Sequence, residues 1–156
     1  KAVAVYDAPF WRAEGLSGDG MSRRGPLVEL HDASPRDASF GALFGFFGTP
    51  YSWREDNRGR LEAMVLEQLA QMYGESARTP REVHIMDWAV DPLVATSQDH
   101  IPPTAHPDYR PLKESLGAWE GRLILSGSEL ASEEGGYIEG ALASAEDALR
   151  LLVASE

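Results

Sequence analysis

Alternating and clustered apolar positions predict four β-strands in the first ninety residues. These segments are short, rich in β-branched or aromatic residues, and bounded by glycine, proline or aspartate, which is typical of strands. They are "AVAVYD" (Ala2–Asp7), "LVELHD" (Leu27–Asp32), "GALFGFFG" (Gly41–Gly48) and "EVHIMDW" (Glu82–Trp88). A glycine-rich connection, Gly15–Pro26, separates the first two. Antiparallel pairing is expected for the two strands that follow it.

Two later segments have apolar residues at helical spacing. The first predicts a long middle helix over Asn57–Tyr73, and Gly74 follows it at a position suited to a C-terminal cap. The second predicts a final amphipathic helix over Gly140–Val153, with Leu142, Ala145, Leu149, Leu152 and Val153 on its apolar face. Between the two, "RLILSG" (Arg122–Gly127) predicts a buried strand. The predicted fold is therefore α+β, with mixed sheets.

Composition and charge narrow the possible functions. The 156 residues are 43% hydrophobic and 25% charged, as in globular proteins, and the net charge of -11 argues against a nucleic-acid or anionic membrane partner. No apolar run approaches the roughly 18 residues of a membrane span, so a soluble and by default cytoplasmic protein is expected. The absence of cysteine excludes disulfides, thiolate metal ligands, cysteine nucleophiles and thioether-linked cofactors.

The stretch "RLILSGSELASEEGGYIEG" (Arg122–Gly140) has the features of one wall of a binding site. Small residues where a strand ends let a ligand approach the backbone. A helix that begins near Gly136 offers unpaired N–H groups to negative charge. The alternative is a surface Glu129 in an ordinary turn before a capped helix, because such turns are common.

Three motifs resemble the C-terminal part of the flavin-containing monoamine oxidase family, in the family's order and at similar spacings. They are "AVYDAPFWRAEGLSG", "MDWAVDP" followed by two prolines, and "GRLILSGSELASEEGGYIEGALASAEDAL". The resemblance covers nearly the whole chain, and the last motif is the most specific. It implies part of a two-domain FAD amine oxidase fold. Residues 1–95 would belong to the substrate-binding domain and residues 96–156 to the FAD-binding domain.

For the full-length protein, the resemblance implies an enzyme that oxidises an amine to an imine with hydride transfer to FAD. Oxygen would re-oxidise the flavin and yield hydrogen peroxide. The FAD would be non-covalent. The family's G-x-G-x-x-G turn for the pyrophosphate is missing, since "GLSGDG" lacks the spacing. The isolated chain is therefore expected to bind FAD weakly or not at all, and to associate with a missing N-terminal FAD-binding segment or with itself.

The alternative function is a non-catalytic binding or structural module, derived from the same family and inactive without a partner chain. The missing pyrophosphate motif favours this alternative for the isolated chain. Whether the chain alone is an enzyme is left open by its sequence.

The resemblance also implies roles for individual residues. Tyr137 matches an aromatic wall that faces the flavin, and Lys1, in a K-x-x-x-x-Y pattern, matches a lysine that binds a water near flavin N5. These are the predicted catalytic residues. The predicted cofactor-binding residues are Gly127, Ser128, Glu129, Gly136, Tyr137, Ile138 and Trp88, with Glu129 on the cofactor's hydroxyls. The alternative for Lys1 is a frayed first residue.

The second aromatic wall of the family has no counterpart here. It should fall near Thr96, Ser97 or Gln98, and none of these is aromatic. The substrate would then have a different shape, or the site has decayed. Trp11 and Arg12 of "PFWR" are expected to provide packing and a buried ion pair, because arginine cannot act as a base.

A metal site is a weaker alternative for the proline-rich stretch Ala89–Pro111. Four possible ligands cluster there: Asp99, His100, His106 and Asp108. Their spacing has no fixed helical or hairpin geometry, so no metal is predicted.

Overall fold

The computed structural model describes residues 1–101, 108–110, 119 and 122–154. The chain divides into two compact units, Lys1–Pro102 and Pro103–Glu156. The assignment of residues 1–95 and 96–156 to the two domains of a family fold stays a prediction.

The first unit is built on a five-stranded antiparallel sheet with the strand order β2-β3-β4-β1-β5. The strands are β1 (Ala2–Tyr6), β2 (Gly20–Met21), β3 (Leu27–Asp32), β4 (Gly41–Phe47) and β5 (Glu82–Ile85). The four predicted strands and the antiparallel pairing of β3 with β4 are confirmed. The expectation of mixed sheets is wrong for the described residues, where every pair in the sheet is antiparallel. The two-residue β2, inside the predicted glycine-rich connection, was not predicted.

Three α-helices belong to this unit: α1 (Phe10–Ala13), α2 (Tyr51–Asp56) and α3 (Leu61–Tyr73). The predicted middle helix begins later than Asn57, because the Asn57 side chain bonds the Trp53 carbonyl at 2.8 Å and residues Arg58–Arg60 form a 3₁₀ turn. The helix ends where predicted. Gly74, with φ 91°, takes the positive φ that glycine tolerates best.

Helix α3 covers one face of the sheet and closes the core. The core cluster consists of the buried residues Ala2, Ala4, Tyr6, Trp11, Leu27, Leu30, Leu43, Val65, Leu69, Tyr73 and Ala77. Gln68 is the polar link between the two layers. Its side chain accepts from the Leu27 N–H at 2.9 Å and donates to the Leu27 carbonyl at 2.7 Å. A buried amide with both groups paired fixes the register of α3 against β3.

The "PFWR" segment anchors the turn after β1 to the end of β3. Trp11 is fully buried, and its indole Nε1 donates to Asp32 Oδ2 at 2.9 Å. Arg12 Nε donates to the same oxygen at 2.7 Å, although the Arg12 side chain remains 38% exposed. Burial tends to raise the pKa of Asp32, but hydrogen bonds from Arg12, Ser34 and Trp11 outweigh it and hold that pKa well below its usual range.

Asp32→Asn should lower the free energy of unfolding at neutral pH by about 1.5 kcal/mol, because a charged acceptor is lost from three hydrogen bonds. A depressed folded-state pKa contributes stability above the unfolded pKa of about 4 and loses it as the pH falls further. The difference between the two proteins should therefore shrink below that pH. Urea unfolding across a pH series measures it, with the exposed Asp56→Asn as the control. A pH-independent difference would contradict the assignment.

The second unit contains α4 (Ile138–Val153) and a 3₁₀ turn, Ser128–Leu130. The predicted C-terminal helix is confirmed and begins two residues before Gly140. The predicted buried strand is wrong for the described residues of "RLILSG": residues 122–127 form no strand, and Leu125 is 45% exposed. A strand requires a hydrogen-bonded neighbour, and no described segment pairs with this one.

Helix α4 does not bury the face predicted from its leucines. Gly140 and Ser144 are buried, whereas Leu142 is 58% and Leu149 60% exposed. A Cβ atom at Gly140 would lie 2.2 Å from the Glu134 carbonyl oxygen, so the close approach of this turn requires glycine. The face with Gly140 and Ser144 packs against turns of the same unit. The face with Leu142 and Leu149 is not buried by any described residue.

Among the described residues, no helix is long and apolar enough to cross a membrane.

Candidate functional site

Six of the predicted site residues come together in the second unit, in two turns joined by one main-chain hydrogen bond. The Gly136 N–H donates to the Ser128 carbonyl at 3.1 Å. This bond joins the turn that begins at Gly127 to the turn that leads into α4. Gly136 has φ 81°, a left-handed conformation that favours glycine. Ser144 of α4 completes the arrangement, because its hydroxyl accepts from the Gly127 N–H at 3.1 Å.

Glu129 and Tyr137 both have exposed side chains in this arrangement, which we name the Gly127–Ile138 turn. A Cβ atom built on Gly127 would lie 3.2 Å from Glu129 Oε2, so the carboxylate folds back over the glycine. Tyr137 is 68% exposed, and Ile138 beside it is 82% exposed. Both residues of the α4 start therefore present their side chains outward.

The start of α4 adds positive electrostatic potential to the turn. Tyr137 is the N-cap residue, and its side chain makes no capping hydrogen bond. The first N–H groups of a helix have no acceptor within the helix and carry the positive end of its dipole. The turn thus combines a carboxylate, which accepts from hydroxyls, with amides that donate to negative charge.

Lys1 and Trp88 meet in a different pocket, in the first unit. The pocket has a volume of about 180 Å³ and is lined by Lys1, Phe46, Phe47, Arg54, Asp87, Trp88 and Ala89. Lys1 is not frayed. Its main-chain nitrogen donates to the Met86 carbonyl at 2.7 Å, and its carbonyl accepts from the Met86 N–H at 2.9 Å. These bonds extend the pairing of β1 with β5 and fix the start of the Lys1 side chain.

Two aromatic residues of β4 were missed as site candidates. The Lys1 Nζ atom lies 5.2 Å from the centre of the Phe46 ring and 5.9 Å from that of Phe44, within the range of a cation–π interaction. The two rings meet edge to face at 4.7 Å, and His31 stacks on Phe44 at 6.2 Å. The spacing in "GALFGFFG" places Phe44 and Phe46 on one face of the strand, but their approach to Lys1 depends on the pairing of β4 with β1.

The other side of this pocket is an ion pair that the sequence did not reveal. Arg54 Nε and Nη2 donate to Asp87 Oδ2 and Oδ1 at 2.7 and 2.8 Å. The side chains are 12% and 20% exposed. The hydrogen bonds from Arg54 lower the pKa of Asp87 and outweigh the opposite effect of burial, so the carboxylate stays charged.

The predicted position of a second aromatic wall is occupied by a polar turn. Thr96 accepts from the Gln98 N–H at 3.2 Å, and Asp99 accepts from the Thr96 N–H at 2.7 Å, which is a capping box at the start of the 3₁₀ turn Ser97–His100. The next aromatic contact in this region is His100, stacked on Tyr51 at 4.0 Å.

No group of three histidine, aspartate or glutamate side chains among the described residues could hold a metal ion. His106, one of the four ligands considered for a metal site, lies outside the described residues.

Comparison with known proteins identifies the family. The sequence profile of flavin containing amine oxidoreductases matches residues 1–151. The chain belongs to this family. It is also 32% identical, over 92% of its length, to the probable flavin-containing monoamine oxidase A of Dictyostelium discoideum. The L-amino acid dehydrogenase of Synechocystis is 28% identical over 98% of the chain.

The solved structures agree on the fold. Cyclohexylamine oxidase from Brevibacterium oxydans matches 98% of this chain with a TM-score of 0.73 and 21% sequence identity. The chain covers 34% of that protein and 32% of the length of each of the two curated relatives. It therefore spans about a third of the length of these family members.

Proposed function

We propose that this chain is the C-terminal segment of an FAD-dependent amine oxidase. The observation that carries the proposal is the Gly127–Ile138 turn, where a carboxylate, open glycine backbone and a helix start converge in a chain of this family. In the longer protein the reaction would be oxidation of an amine to an imine, with oxygen as the final acceptor and hydrogen peroxide as the second product.

The donor and acceptor groups of the turn suit one end of a flavin cofactor. Glu129 would accept hydrogen bonds from the cofactor's hydroxyls, and the amides at the start of α4 would donate to negative charge on the ring system. Gly127 and Gly136 would allow close approach to the backbone. Ser128 and Ile138 would complete the contacts of this turn. The chemistry that bound flavin supplies is acceptance of the hydride from the carbon beside the amine.

Lys1 and Tyr137 would act on substrate and water. The Tyr137 ring would orient a neutral amine by its face, which the exposure of that ring supports. Lys1, with its ammonium above Phe46, would hold a water molecule and stabilise negative charge on oxygen. No aromatic residue stands at Thr96–Gln98, where the family's second aromatic wall is expected, so we propose a substrate of a different shape.

The second candidate is a non-catalytic module of the same family. It is favoured by the absence of a G-x-G-x-x-G segment from the 156 residues. The two candidate functions predict different results when amines are added to the flavin-containing protein. The longer protein that contains this chain is mixed anaerobically with a panel of primary amines, amino acids and, as controls, the corresponding alcohols. Loss of the oxidised flavin absorbance with amines alone supports the oxidase, and a spectrum unchanged by the whole panel supports the module.

The uncovered face of α4 leads to a prediction for the isolated chain. Exposed leucines at this density favour association, so the chain should form dimers or larger species as its concentration rises. Leu149→Glu should reduce this association by placing a charge on the apolar face. Ala143→Glu adds the same charge to the other side of α4 and is the control. Light scattering over a concentration series measures the change, and a wild-type mass that stays monomeric throughout would contradict the prediction.

A further inference from the structure

The ion pair of Arg54 and Asp87 links three parts of the first unit at the Lys1 pocket. Arg54 lies on α2, and it reaches both carboxylate oxygens of Asp87 beyond the end of β5. Its Nη1 also donates to the Thr49 carbonyl, and its guanidinium lies 5.9 Å from the centre of the Phe47 ring. A single side chain thus connects α2, the end of β4 and the segment after β5.

Asp87, which Arg54 holds in place, directly precedes Trp88 in the chain and caps the turn that contains it. It is the N-cap of the 3₁₀ turn Trp88–Val90, where its Oδ1 accepts from the Ala89 N–H at 3.3 Å. The Trp88 side chain is 49% exposed, and no described residue donates a hydrogen bond to it or accepts one from it. Hydrogen bonds therefore constrain the main chain of the Trp88 turn through Asp87 and do not act on the ring directly.

We propose that Arg54 and Asp87 are a positioning pair that fixes Trp88 as a wall of the Lys1 pocket for binding of the amine. This inference rests on the proposed function, because it requires that the longer protein bind and oxidise an amine. Neither residue is a catalytic residue. A planar guanidinium matched to two carboxylate oxygens restricts orientation more than a single contact does, which suits a role in geometry.

Arg54→Gln and Asp87→Asn in the longer, flavin-containing protein should each raise the KM for the amine about tenfold, because a displaced wall weakens productive binding. The kcat should change by less than about threefold, and flavin content should stay the same. The double variant should be no worse than either single variant, since both remove one interaction. Arg54→Lys keeps the positive charge but cannot make the two parallel hydrogen bonds of the guanidinium, so it should give an intermediate KM.

The matched control is Arg58→Gln, which breaks the exposed Arg58–Glu55 pair on the neighbouring turn. It should leave KM unchanged. A second measurement reports on the Trp88 ring itself. Acrylamide quenching of tryptophan fluorescence is measured for each protein with and without Trp88→Phe, and the difference gives the quenching of Trp88. Trp88 should be quenched more readily in Arg54→Gln than in the parent, and equally in Arg58→Gln and the parent.

The outcomes separate this inference from the proposed function. If the parent enzyme is active and Arg54→Gln changes neither the KM nor the quenching of Trp88, the positioning role is wrong. The proposed oxidase function would be unaffected by that result. A parent that oxidises no amine would overturn the oxidase, and the quenching of Trp88 would still decide whether the pair fixes this residue. A fall in kcat with an unchanged KM would also overturn the inference.

Discussion

Replacing Tyr137 with alanine in the longer enzyme should slow the reduction of its flavin by amine about a hundredfold, while the flavin content stays near normal. The reason is that the ring would align the reacting carbon of the amine with the cofactor, and misplacement by about an ångström has an effect of this size. The ring is 68% exposed within this chain, so its removal should affect stability little. Anaerobic stopped-flow absorbance measures the rate.

The control for this substitution is Tyr137→Phe, which keeps the ring and removes the hydroxyl. We expect it to reduce flavin at close to the normal rate, because the face of the ring is the part that acts. Reduction at full speed in Tyr137→Ala would contradict the assignment. So would an equal loss of rate in Tyr137→Phe, which would instead make the hydroxyl the active group.

Replacing Glu129 with glutamine should have the opposite pattern, with weaker retention of flavin and an unchanged reduction rate in the protein that keeps it. A neutral amide replaces a charged acceptor of about the same shape, and the loss corresponds to about ten- to a hundredfold in flavin affinity. Flavin absorbance after repeated ultrafiltration measures the retention.

Glu133→Gln is the matched control, because Glu133 is an exposed glutamate of the same turn region. It should retain flavin like the parent. Equal flavin loss in Glu129→Gln and Glu133→Gln would show a general charge effect on the turn. If Glu129→Gln retains flavin as well as the parent does, Glu129 is an ordinary surface residue and does not bind the cofactor.

The sequence predicted the sheet of the first unit well because local pattern and tertiary context agree there. Glycine, proline or aspartate lies near an end of each predicted strand, and the buried residues of β1 and β4 share a core cluster with residues of α3 in the same unit. The start of α3 was misplaced because Asn57 ends α2 instead, with its side chain donating to the Trp53 carbonyl, and Arg58–Arg60 form a 3₁₀ turn before α3 begins at Leu61.

The second unit shows where local pattern stops being sufficient. The apolar run of "RLILSG" predicts a buried strand, but burial needs a neighbour, and Leu125 has none among the described residues. The leucines of α4 are likewise correctly helical and yet exposed. Both segments are apolar on surfaces that the described residues leave exposed.

The candidate site was predicted in part. The Gly127–Ile138 turn was found because its small residues, glutamate and helix start are contiguous in sequence. Phe46 and Arg54 were missed because their approach to Lys1 and Asp87 depends on the register of β4 with β1 and on the place of α2. Contacts between residues more than thirty positions apart leave no local signal in a single sequence.

The most direct test of the central claim is flavin absorbance, compared between this chain alone and the longer protein that contains it, each purified with excess FAD and then filtered. If the chain supplies only one end of a flavin site, it should be colourless alone. The longer protein should hold flavin in stoichiometric amount and lose its oxidised absorbance when an amine is added without oxygen. Stoichiometric flavin on the isolated chain, or a longer protein that binds none, would contradict the account.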